Sequence, residues 1–73
     1  SRVYPNSAKD IININSNIGE FSASLINSLG EALISSSFSK GNNTMKVSEI
    51  PSGLYVLNIQ TGAKTTSHKV VIE

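Results

Sequence analysis

Five glycines, at positions 19, 30, 41, 53 and 62, cut the 73-residue chain at intervals of 11, 11, 12 and 9. Between them apolar residues recur at every second position. Turn signals at that spacing around short alternating runs predict an all-β sandwich or barrel whose strands each bury one face. Strands are expected over Asp10–Asn15, Phe21–Asn27, Glu31–Phe38, Asn42–Val47, Leu54–Thr61 and Lys64–Ile72. A short lead strand at Val3-Tyr4 precedes them, stopped by Pro5, which cannot donate to a ladder. The inward sets are Ile12 and Ile14; Phe21, Ala23 and Leu25; Ala32, Ile34 and Phe38; Met45 and Val47; Tyr55, Leu57 and Ile59; Val70 and Ile72. The four aromatic rings, Tyr4, Phe21, Phe38 and Tyr55, are mostly assigned inward, leaving no aromatic surface.

A helix competes for one stretch. Phe21, Leu25, Leu29 and Leu33 recur every four residues, which also suits an amphipathic helix. Gly30 inside it would cost about 1 kcal/mol relative to alanine. Ser22, Ser24, Asn27 and Ser28 are poor helix formers because their side chains compete for backbone groups. Asn27-Ser28-Leu29-Gly30 reads instead as a short hairpin loop with Gly30 at positive φ.

Composition excludes several classes of function. At 7.8 kDa the chain is one small domain, residues 1–73, with residues 1–2 read as the remnant of a linker. Six Lys/Arg against five Asp/Glu give +1 with no basic stripe, so no nucleic-acid or anionic-lipid partner is expected. The absence of cysteine removes disulfides, zinc ribbons and thiol nucleophiles. The single histidine, His68, lacks a second histidine to share a metal, and thirteen serines make the letters of a catalytic triad inevitable. No glycine-rich phosphate loop is present, and Asn42-Asn43-Thr44 is a chance glycosylation sequon in so asparagine-rich a chain. Neither a catalytic residue nor a cofactor or metal site is expected, and the chain reads as no enzyme.

Three segments are more specific. Val3-Tyr4-Pro5-Asn6 opens the chain, Ile50-Pro51-Ser52-Gly53-Leu54-Tyr55-Val56-Leu57-Asn58-Ile59-Gln60-Thr61-Gly62 follows, and Lys69-Val70-Val71-Ile72 closes it. Pro51-Ser52-Gly53 should turn, Tyr55 should point inward with its hydroxyl at the domain edge, and Asn6 should accept from backbone two residues on. In this order the segments resemble the C-terminal sorting domain of type A cargo of the Bacteroidetes type IX secretion system, the gingipain-like C-terminal domain. The family pattern is a YPNP opening, an L-x-x-G-x-Y-x-x-x-I strand and a final K-x-V-I. Departures are Ser7 in place of the second proline, Glu31 where a lysine often follows the turn glycine, and Glu73 where many relatives end in a basic residue.

The resemblance implies a seven-stranded Greek-key, immunoglobulin-like β-sandwich of two antiparallel sheets. It further implies a signal fused to an N-terminal cargo, carried across the periplasm by the outer-membrane translocon to the cell surface or medium. A surface sortase then removes the signal at or before Ser1-Arg2, commonly joining the cargo to an anionic lipopolysaccharide. The sorting motif maps to Tyr4, Pro5, Asn6, Pro51, Gly53, Tyr55, Gly62, Lys64, Lys69, Val70, Val71 and Ile72. Recognition is expected at the edge or face of the last two strands, Gly53–Ile59 and Lys64–Ile72, and edge strands could also pair two copies into a dimer. The alternative is a β-sandwich accessory module of a surface protein, binding glycans or spacing domains.

Overall fold

The computed structural model describes residues 2–5, 7–17 and 19–73. Among these residues the chain is all strand and turn. Its strands are β1 (Arg2–Tyr4), β2 (Ser7–Ala8), β3 (Ile11–Ser16), β4 (Phe21–Ile26), β5 (Ala32–Phe38), β6 (Gly41–Lys46), β7 (Gly53–Thr61) and β8 (Lys64–Ile72). They form a three-stranded sheet, β1-β3-β6, and a five-stranded sheet, β2-β8-β7-β4-β5.

The count of seven strands is therefore corrected to eight, and the all-antiparallel expectation fails at one pair. The added strand is β2, which runs parallel to the end of β8 with Ser7 opposite Val71 and Ala8 opposite Ile72. Two residues cannot display a period-two pattern, so alternation has no means of revealing β2.

The core lies between the sheets and follows the alternation closely. Ile12, Ile14, Phe21, Ala23, Leu25, Met45, Val47, Tyr55, Leu57, Ile59, Val70 and Ile72 are all buried, joined by Ala8 from β2. Val3, Ile34, Phe38 and Ile50 pack around them half-buried. Ala32, expected inside, is exposed. The β4–β5 register shifts between Leu25, opposite Ile34, and Ile26, opposite Ala32. That bulge takes Ala32 off the inner face. Tyr4, also expected inside, is 38% exposed, and Phe38 is only half-buried.

The helix alternative over residues 20–35 is excluded, because β4 and β5 form a hairpin there. The Asn27 carbonyl accepts from Gly30 N–H at 3.0 Å, and Gly30 holds φ 85°. The Asn27 side chain organises the loop. Its Oδ1 accepts from the N–H groups of Leu29 (3.0 Å) and Glu31 (2.9 Å), and its amide donates to Glu31 Oε1 at 3.0 Å. Competition for backbone groups, the property that disfavours asparagine in helices, here builds the turn.

Candidate functional site

Strands β7 and β8 form a long hairpin through the two-residue loop Gly62-Ala63, and their register decides which motif residues meet. Gly53 stands opposite Ile72, Leu54 opposite Val71, Tyr55 opposite Val70 and Val56 opposite Lys69. The central motif and the closing motif, separated in sequence by most of the hairpin, thus lie side by side. From the other flank β2, the two residues that follow the opening motif in sequence, pairs with Val71 and Ile72. Glu73 N–H donates to the Ala8 carbonyl at 2.8 Å, and the Ser7 hydroxyl donates to the Glu73 carboxylate. The central and closing motifs, with β2 beside them, meet at one end of the five-stranded sheet.

The convergent residues divide by the pleat. Tyr55, Val70 and Ile72 turn inward and are buried. Tyr55 donates its hydroxyl to the Pro51 carbonyl, four residues upstream, at 2.6 Å. A tyrosine near the start of a late strand that bonds back to the preceding loop is a recurrent corner device of β-sandwiches. It ties the 51–53 bend to the core. The hydrogen-bonded turn itself falls earlier than Pro51-Ser52-Gly53, with Ile50 N–H donating to the Val47 carbonyl at 3.0 Å. Pro51 and Ser52 form an exposed bend before Gly53 opens β7.

The alternate residues turn outward. Leu54 (55% exposed), Val56 (37%) and Val71 (42%) make an apolar group on the solvent face, with Lys69 exposed beside Val56. Lys69 and Val71 belong to the sequence motif, whereas Leu54 and Val56 occupy variable positions within it. Period-two parity applied to β7 would have found both.

Other expected motif residues stand apart. Tyr4 ends β1 on the three-stranded sheet, with the Arg2 guanidinium 5.0 Å from its ring centroid. Pro5 is exposed and follows a cis peptide bond, and Asn6 lies outside the described residues. Gly62 and Lys64 occupy the far end of the β7–β8 hairpin, about 27 Å from Gly53 at the usual strand rise. The register leaves them out of the convergent group.

The pairings also narrow the edge open to recognition. β7 is flanked by β8 along its length but by β4 only over Val56–Gln60, so Gly53–Tyr55 have no strand partner on that side, while β8 is covered by β2 only at Val71 and Ile72. Edge pairing with the last two strands is thus open along Lys64–Val70 of β8 and, among the described residues, at Gly53–Tyr55 of β7.

Elsewhere the molecule offers little for chemistry. An open cleft of about 710 Å³ lies near the Gly62 end, lined among others by Glu20, Phe21, Phe38, Asn43 and Gln60. Phe21 is buried and packs against Phe38 with centroids 5.7 Å apart. The Asn43 amide already donates to the carbonyls of Ser39 (2.7 Å) and Gly41 (3.3 Å). His68 is half-buried on β8 opposite Leu57 and does not line this cleft. Among the described residues no group of three or more acidic, histidine or cysteine side chains could hold a metal ion.

A family model described as secretion system C-terminal sorting domain matches residues 2–73. The chain belongs to that family. A search of the curated proteins finds no match. As a type IX sorting domain the chain carries an export signal, is attached to a cargo protein and is recognised by secretion machinery. It is directed to the cell surface or the extracellular space, and its family is not one of enzymes. The convergent end of the sorting domain is built from the central and closing segments of the family resemblance, and it presents Leu54, Val56, Lys69 and Val71 to solvent.

Proposed function

We propose that the outer-membrane translocon reads this sorting domain as a folded shape, through the outer face formed by Leu54, Val56, Lys69 and Val71. The carrying observation is the register that sets Leu54 opposite Val71 and Val56 opposite Lys69 at the end where the central and closing motifs meet. Buried Tyr55, Val70 and Ile72 hold the face in place, and the exposed aliphatic side chains supply an apolar surface for a partner to cover. A surface sortase then cleaves the domain from its cargo at or before Ser1-Arg2. The strand order supports a Greek-key, immunoglobulin-like connection, since β3 pairs with β6 and β4 with β7 across intervening strands. Bacteroidetes is the proposed source.

A reporter fused ahead of the domain tests the face. Val71→Lys and Leu54→Glu alter exposed side chains, so the purified variants should melt close to the parent domain. Export to the medium should nevertheless fall by about tenfold, the loss expected when a charge enters an apolar contact. Export at parental yield from both folded variants would overturn recognition at this face.

A further inference from the structure

The five-stranded sheet ends on β5, and among the described residues no strand covers its outer edge. In an antiparallel ladder alternate residues direct both backbone groups toward the same neighbour. About half of β5 therefore offers unpaired N–H and C=O groups to that side. Proteins usually blunt such edges with charge, proline, bulges or short length. The other edges here are blunted. β1 has three residues and stops at Pro5, β2 has two, and β6 carries Lys46. The uncovered length of β8 has Lys64 at one end and Lys69 near the other. β5 has seven residues without charge or proline, and its bulge lies at the Ala32 end, leaving Ile34–Phe38 in regular register.

We propose that a second copy of this chain pairs with β5, antiparallel, in a register centred on Ser36. The side chains select that register. A two-fold axis normal to the sheet keeps inner residues opposite inner residues, so the centre is a single residue. Centred on Ser36, Ile34 of each copy faces Phe38 of the other, and Ser35 faces Ser37. Ile34 and Phe38 are the half-buried rim of the core, backed on one side by Leu25 and Phe21. The second copy covers their remaining exposed side with an aromatic–β-branched pair. A centre on Ser35 would instead set Ile34 opposite Ser36, losing the apolar pair.

This inference goes beyond the export reading, and either can fail alone: export is scored with a reporter, self-association with the purified 73-residue chain. Sedimentation equilibrium from micromolar to millimolar concentration should show a monomer–dimer equilibrium. Hydrogen exchange should reveal new protection at alternate amides of β5 as dimer forms. Register is tested at exposed positions that leave the core untouched. Ser35→Lys combined with Ser37→Lys brings lysines together across the axis and should weaken the dimer at least about tenfold. Ser35→Lys combined with Ser37→Glu places opposite charges there and should restore it. A wild-type chain that remains monomeric at millimolar concentration overturns the proposal. A dimer equally strong in both double variants overturns it as well.

Discussion

At the scale of single residues, position 53 joins the bend to the sheet. Gly53 holds φ at 156°, a conformation side-chain-bearing residues rarely adopt. An added Cβ would meet Tyr55 Cε1 at 3.6 Å, an ordinary contact, so the constraint lies in the backbone rather than in space. Gly53→Val adds β-branching to that strain and should destabilise the domain by over ~1 kcal/mol. Tyr55→Phe isolates the hydroxyl's contribution, since the ring stays buried and only the 2.6 Å bond to the Pro51 carbonyl is lost. It should cost about 1 kcal/mol, because Pro51 is exposed and water can take the vacated acceptor. Urea titrations of both variants measure these losses. An unchanged midpoint for Gly53→Val would contradict the strain, and one for Tyr55→Phe would contradict the corner bond.

At the scale of elements, the alternation made most of the fold legible and the pairing almost none of it. Ile12 and Ile14, or Leu57 and Ile59, declare their faces because each strand has one dry side. Ala32 misled because its register depends on the bulge opposite Leu25 and Ile26, a property of two strands rather than one. β2 was invisible for the related reason that its partner lies at the other end of the chain. The candidate site divides likewise. Its component segments were readable as motifs, whereas the exclusion of Gly62 and Lys64 required the hairpin register. β8 is where these lessons become a measurement. Deleting Lys69–Glu73 removes buried Val70 and Ile72, the partner of β2 and the Glu73 bond to Ala8. Two such core losses, at about 2–5 kcal/mol each, rival a whole-domain stability of about 4–11 kcal/mol. The truncated chain should lose its cooperative melting transition by circular dichroism, and a fused reporter should stay inside the cell. A truncated chain that melts like the parent would show that β8's end is dispensable to the fold.

At the scale of the molecule, the two sheets enclose one thin core. The radius of gyration is 11.2 Å, matching the roughly 11 Å expected for a compact chain of this length. The accessible surface of 4609 Å² lies close to the roughly 4,400 Å² that scaling gives for this mass. The chain is therefore as compact as its length allows, and the small stability expected of it reflects how few residues share the core. Leu57 stands at its centre. It has no exposed surface, sits on the central strand of the five-stranded sheet, and is flanked by Leu25 on β4 and His68 on β8. Neighbours held in ladders on both sides cannot collapse into the space left by truncation. Leu57→Ala should thus cost about 2–5 kcal/mol, a large share of the total. Leu29, 81% exposed at the β4–β5 loop, provides the internal control, and Leu29→Ala should change stability by no more than about 0.5 kcal/mol. Paired thermal and urea denaturation distinguishes them, and a Leu57→Ala domain within about 1 kcal/mol of the parent would mean that the sheets close around the cavity rather than being held apart by their ladders.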